Sequence, residues 1–217
     1  MKHSEIEPEP AVAAALCGDG IDLVRRYTED LGRRGEELGL IGPDEAPRLW
    51  SRHILNCALL APEIPERGVA GSRTSVADVG SGAGLPGLVL AMVRPDIHVT
   101  LIEPLERRTR WLDEQVELLG LTNVTVFTGR AEDFTPRRSF DVVTARAVKA
   151  LKGLIPILAP LVVPGGQLAL LKGQRIDLEI DEAAGVIARN RVFAVESRVL
   201  GVGTVEEPTR LFTAIVE

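Results

Sequence analysis

Four glycines fall within residues 80–87, directly after the run Val76-Ala77-Asp78-Val79. A chain leaving a buried strand there must turn sharply and pass beneath a ligand, and glycine permits both the positive φ angles and the close backbone approach. Two ligand patterns are satisfied at once. Gly82-Ala83-Gly84-Leu85-Pro86-Gly87 matches the dinucleotide fingerprint, whereas Gly80-Ser81-Gly82-Ala83-Gly84 has the tighter spacing usual in enzymes that use S-adenosylmethionine (SAM). The neighbours favour SAM. Asp78 puts a carboxylate at the strand end, where it would repel a pyrophosphate but not a cationic methionyl group. Glu103 ends the next strand, and its oxygens can accept from both ribose hydroxyls. Arg130-Ala131-Glu132-Asp133 follows the third strand, where an acidic group can meet an adenine amine.

A second set of residues bears on the substrate. Arg146, Lys149, Lys152, Lys172 and Arg175 fall just after the fourth and fifth expected strands, a cluster suited to phosphates. The chain carries a net −6, but residues 76–175 hold 12 Lys and Arg against 10 Asp and Glu, with the acidic surplus at the two ends. A nucleic-acid partner therefore fits if the cations share one face, while general affinity for RNA or membranes does not. Trp50 and Trp111 lie among leucines at helical spacing and read as core. With aromatics at 4%, a broad base-stacking platform is not expected.

Other chemistries are disfavoured by what stands at their usual positions. Amino-group methylation of adenine or cytosine commonly uses an Asn/Asp-Pro-Pro-aromatic segment after the fourth strand, where this chain has Thr144-Ala145-Arg146-Ala147. Carbon-5 methylation of pyrimidines needs a thiolate, and Cys17 and Cys57 both lie in the N-terminal helical region. They are 40 positions apart with no CxxC or histidine at ligand spacing, so neither a disulfide nor a metal site is expected. The strand ends offer no obvious general base, so a reaction suited to this site attacks the sulfonium methyl with a lone pair already free. Such catalysis is mainly proximity and alignment, and no catalytic acid or base is assigned.

The elements that must position these groups follow from periodicity. Leu23, Tyr27, Leu31 and Leu38, then Leu49, His53, Asn56 and Leu60, recur at helical spacing, with Pro43 and Pro62 bracketing the second helix. After Pro65 the pattern changes to strands 75–79, 98–103, 124–128, 140–145 and 167–172, alternating with helices 85–93, 106–119 and 151–163. Leu112, Val116 and Leu119 give the second of these an apolar stripe, and Ile176, Ile180, Ala184 and Ile187 give a last helix another. Strand-like stretches 192–200 and 211–216 close the chain, and neither needs to be parallel. The fold class is α/β, a Rossmann-like SAM-dependent methyltransferase sheet of seven mostly parallel strands, with helices on both faces and a small N-terminal helical cap. Three regions are expected: an acidic, mobile segment 1–20, the cap 21–72, and the SAM-binding domain 73–217. No apolar run approaches a membrane span and no export signal is visible in the first residues, so a soluble cytoplasmic monomer is expected.

Taken together, residues 78–87, Arg94-Pro95, Leu101-Ile102-Glu103, Arg130-Ala131-Glu132, Thr144-Ala145-Arg146-Ala147 and Leu171-Lys172-Gly173 closely resemble the bacterial 16S ribosomal RNA guanine-N7 methyltransferases, also called the glucose-inhibited division protein B family. The resemblance spans roughly residues 20–215. Leu85-Pro86-Gly87 and Arg52-His53-Ile54-Leu55-Asn56 are its specific parts. It implies SAM contacts at Gly80, Leu85, Glu103, Ala131, Glu132 and Arg146, to which the glycine turn adds Gly82. Position at the crevice end puts Arg146 and Lys172 against the RNA, and the resemblance adds Arg52 and His53 from the cap, with 16S ribosomal RNA as partner, within the small subunit or an assembly intermediate. One departure is Leu38-Gly39-Leu40-Ile41-Gly42, where many members have Asn-Leu-Thr. Three rival readings stand beside it: a small-molecule methyltransferase, an NAD(P)-dependent oxidoreductase, and an RNA-binding assembly factor that keeps SAM only as a structural ligand.

Overall fold

The computed structural model describes residues 5–146 and 149–217; residues 1–4 of the acidic segment and Ala147 of the 144–147 run lie outside the described residues. Strands Ser75–Val79 (β1), His98–Glu103 (β2), Val124–Thr128 (β3), Phe140–Arg146 (β4), Val162–Lys172 (β5), Val192–Leu200 (β6) and Thr209–Val216 (β7) form one sheet in the order β3-β2-β1-β4-β5-β7-β6. The first five strands are parallel, and β7 runs antiparallel to both β5 and β6. The order reverses between β1 and β4. A crevice opens at such a switch point beyond the carboxyl ends of the strands.

Both faces of the sheet are covered, which is why the central strands are apolar almost throughout. The pleat sorts neighbours to opposite cores. Val76, Leu101 and Val142 face helices Gly87–Val93 (α4) and Glu106–Leu119 (α5), whereas Ala77, Ile102 and Val143 face Leu151–Leu158 (α6) and Ile176–Arg189 (α7). On the first face the core continues without a break into the N-terminal helices, Ala13–Cys17 (α1) and Ile21–Arg34 (α2). A wide-turned π segment, Leu49–Ile54, then runs on as Leu55–Ala58 (α3). Tyr27, Leu31, Leu49 and Ile54 are fully buried in that shared core.

Several expectations shift. Where a mobile acidic segment is expected over 1–20, Ala13 and Cys17 are buried, Glu7 accepts the Ser51 N–H at 2.9 Å and Glu9 pairs with Arg25 at 2.7 Å. Helix α4 begins at Gly87, two residues beyond the expected start. Helix α6 ends at Leu158 and the chain turns through Ala159–Leu161, because Pro160 lacks an amide hydrogen to continue the helix. Strand β5 accordingly starts at Val162, with a register irregularity between the Phe140–Val162 and Val142–Gln167 pairs. On α7 the inward residues are Ile176, Ala183, Val186 and Ile187, and Ala184 points to solvent. The last strand starts at Thr209 and β4 extends to Arg146.

Candidate active site

The glycine turn sits where β1 ends, beside the topological switch. Gly80, Gly82 and Gly84 have φ of 74°, 58° and 106°, a region that side chains with a Cβ rarely enter. Gly87 serves differently. A Cβ there would stand 2.7 Å from Asp78 Oδ2 and collide with Leu101, so its absence lets α4 pack tightly on β1 and β2. The turn is pinned from two sides at one atom: the Ala83 carbonyl accepts the Tyr27 hydroxyl at 2.9 Å and the Trp111 indole N–H at 2.8 Å. Trp111 is thus a buried donor to the loop, with no face open to a base.

Two acids stand behind the turn. Asp78 is fully buried; its Oδ2 accepts the Gly87 N–H at 3.0 Å and its Oδ1 has no hydrogen-bond partner among the described residues. Burial pushes this carboxyl up to about 7, against the Gly87 amide and the Arg146 charge. Glu103, 2% exposed, braces the site by accepting the Gly82 N–H at 2.9 Å and the Leu105 N–H at 3.1 Å, with Arg108 Nη1 3.8 Å away.

Three adjoining cavities cover the strand ends. The first, about 470 Å³, is lined by Gly80, Gly82, Leu85, Glu103, Arg108 and Arg146. The second, about 370 Å³, shares Gly80 with it and has apolar walls from Val79, Ile102, Leu154 and Ile157, with Ala131 and Glu132 at its edge. The third, about 500 Å³, lies under the cap between Arg52, His53, Asn56, Lys172 and Glu207, and meets the first at Arg146. All seven residues expected at the cofactor therefore line the first two cavities, and all four expected at the substrate line the third.

The polar groups of the third cavity are more engaged than their types suggest. His53 has both ring nitrogens occupied: Arg146 Nη1 donates to Nδ1 at 2.6 Å, and Nε2 lies 2.5 Å from Glu45 Oε2. Burial and the Arg146 charge push its imidazole down to about 4 despite Glu45. Lys172 is not an open cation either. Its side chain is 5% exposed, paired with Glu179 at 2.8 Å and donating to the Lys149 carbonyl at 3.0 Å, while Glu179 also accepts the Leu151 N–H. Cys57 is buried beneath, and burial raises its thiol to about 12, so it offers no thiolate at neutral pH.

Leu40, Arg108, Glu45 and Glu179 are members of the site that the motifs do not single out. Leu40 comes from the departing 38–42 segment, which thereby contributes an apolar wall. Arg108 had one signal available: it lies in the first turn of the helix that follows Glu103. Among the described residues Arg107, Arg130, Lys149, Lys152 and Arg175 are exposed around the strand ends and make no ion pair within 4 Å. Elsewhere Arg25, Arg33, Arg34, Arg94 and Arg110 are paired with acids, while Arg26, Arg67, Arg73, Arg137, Arg138, Arg189 and Arg191 are likewise exposed without an ion pair.

The chain's relatives can be set beside this geometry. A family model described as GidB, rRNA small subunit methyltransferase G, matches residues 21–204. The chain is 52% identical over 211 residues to the ribosomal RNA small subunit methyltransferase G of Clavibacter michiganensis, covering 97% of each. Among solved structures it is similar to a SAM-dependent O-methyltransferase from Thermotoga maritima, with 17% identity, TM-score 0.54, and 74% of this chain and 64% of that one covered. It is also similar to the tRNA (m1A58) methyltransferase TrmI from Aquifex aeolicus, with 14% identity, TM-score 0.57, and 74% and 68% covered. At these identities the structural likeness shows the fold, a Rossmann-like methyltransferase sheet.

Proposed function

The chain belongs to the rRNA small subunit methyltransferase G family, and from that premise we propose that it methylates N7 of one guanine in 16S ribosomal RNA with SAM as donor. The observation that carries the reading is the junction at Arg146, where the cleft over the glycine turn meets a cap cavity that Arg52 and Lys172 also line. The residues fit SAM on their own terms. The partnerless Asp78 Oδ1 suits a cationic amino group, Glu103 retains lone pairs for ribose hydroxyls, and the apolar slot beside Ala131 and Glu132 suits a planar base with an exocyclic amine. Bound there, SAM supplies an electrophilic methyl on a sulfonium.

The chain's own residues then have separable tasks. Gly80, Gly82, Leu85, Glu103, Ala131, Glu132 and Arg146 hold the donor. Arg52 and Arg146 face the RNA, and Lys172, through Glu179 and the Lys149 carbonyl, holds the segment that carries the cations Lys149 and Lys152. Attack by the N7 lone pair asks for alignment and exclusion of water rather than for a base. Residues 21–72 serve as the cap and 73–217 as the SAM-binding domain of a cytoplasmic monomer; no helix among the described residues is long and apolar enough to cross a membrane. The test is transfer of labelled methyl to undermethylated small subunits and to naked 16S RNA side by side, with the product digested for mass spectrometry. A single new 7-methylguanine is expected, and an unchanged modification map would sink the proposal.

A further inference from the structure

Resting on the methyltransferase reading above, we propose that Glu45 and His53 are positioning residues that aim the Arg146 guanidinium across the boundary between the cofactor cleft and the cap cavity. Among the described residues Arg146 alone lines both of these spaces. A long arginine side chain has much rotamer freedom to lose, so a guanidinium that must face one way needs a fixed acceptor. His53 supplies one at 2.6 Å.

The direction of each hydrogen bond follows from valence. Arginine has donors only, so the lone pair of His53 faces it at Nδ1 and the ring proton sits on Nε2, donated to Glu45. Glu45 thereby selects the tautomer that lets His53 accept, as an outer carboxylate does for a metal-bound histidine. Arg52 lies 3.6 Å from the same Glu45 carboxylate and Arg48 adds its charge to that carboxylate; Asp78, Cys57 and Tyr27 stand close enough to Arg146 to feel its charge. Burial raises the Glu45 carboxyl, but the His53 hydrogen bond and the two arginines outweigh it and leave it lowered, an anion at neutral pH. His53 stays neutral there, with its imidazole pushed down to about 4.

The local backbone is built for this arrangement. The π segment Leu49–Ile54 carries Arg52 and His53 on widened turns, a form frequent at functional sites, and both side chains reach the one Glu45 carboxylate. The relay joins the cap to the end of β4 across 93 positions of sequence, so placing the cap also orients the arginine.

Two measurements decide the proposal. With only three histidines in the chain, long-range proton–nitrogen NMR at pH 7 resolves the His53 ring. A proton on Nε2 is expected, with an Nδ1 shift that moves in Arg146→Leu; a protonated Nδ1, or a shift indifferent to Arg146→Leu, overturns the relay. Kinetics on small subunits form the second arm. His53→Leu should lower kcat/KM about tenfold or more, the loss expected when a charge-assisted hydrogen bond is removed. His53→Asn, whose Oδ1 can stand near the Nδ1 position, should recover most of it at equal melting temperature. If Asn does no better than Leu, His53 is structural and the relay fails. A wild-type protein that transfers no methyl would overturn the function reading instead, leaving the NMR result to judge the relay.

Discussion

Asp78 and Glu103 occupy adjacent strand ends yet are set up for opposite electrostatics. Glu103 is satisfied by two backbone amides, whereas Asp78 has one oxygen bonded and the other without a partner among the described residues. Because burial raises the Asp78 carboxyl to about 7 from 3.8, the folded chain binds that proton more tightly than the unfolded one between those values. Stability carried by Asp78 is therefore present at low pH and lost as pH rises towards 7. His53 works the other way: its folded value is depressed to about 4, so its share is gained as pH rises through 4 to 6.5. Asp78→Asn should consequently flatten the loss of ligand-free stability between pH 5 and 7.5, measured as the wild-type minus variant difference in chemical denaturation; parallel curves would exclude Asp78 as the source. At Glu103 the expected effect is on affinity. Glu103→Ala removes bonds to a charged acceptor worth about 1.5–3 kcal/mol, so the SAM dissociation constant by calorimetry should rise roughly 10- to 100-fold.

Helix and strand existence was legible because these elements carry their own periodicity. Strands 98–103 and 124–128 and helix 106–119 coincide with the expected bounds: two-sided burial leaves an apolar run in the first, the half-exposed edge strand alternates Val and Thr, and a one-sided crossover leaves a stripe. The start of β5 was hidden because Val162-Val163 continues the apolar run of α6, and Pro164-Gly165-Gly166 looks like a turn rather than an irregular strand. The site was legible where it is made of backbone, as in residues 80–87. It was illegible where it depends on partners that no motif links: Lys172 finds Glu179 across the turn into α7, and Arg146 finds its acceptor, His53, 93 positions away. Element-level packing yields two expectations. Tyr27→Phe removes one of two donors to Ala83 and should cost about 0.5–1.5 kcal/mol in denaturant unfolding without abolishing the fold, because Trp111 still serves that carbonyl. Gly87→Ala drives a methyl into Leu101 and Asp78 and should cost more, about 1–3 kcal/mol or above. A neutral result at position 87 would mean that α4 can shift away from the sheet.

For the molecule as a whole, net charge is a poor guide to partners and the pairing of charges a better one. A chain at −6 neutralises many of its arginines with its own acids, and of the described cations that make no ion pair Arg107, Arg130, Lys149, Lys152 and Arg175 gather around one end of the sheet. If these five meet phosphates, the logarithm of RNA affinity should fall against the logarithm of salt with a slope of about −3 to −4.5, and Lys152→Ala with Arg175→Ala should flatten it by about 1.5. A salt-independent affinity would remove the phosphate assignment. The N-terminal helices belong to the same body, because Ala13, Cys17, Tyr27 and Leu31 share a core with Val76 and Leu101. Deleting residues 1–20 should therefore lower the melting temperature rather than trim a passive tail.

The Ala83 carbonyl gives this unity a time dimension. One oxygen receives Tyr27 from α2 and Trp111 from α5, so neither helix can swing away without releasing the turn between them. Amide hydrogens deep in α2, more than fifty residues from the glycines in sequence, should then exchange with deuterated solvent more slowly once a ligand fills the turn, and in step with those of α5. The cap would register the arrival of the donor before any RNA is present.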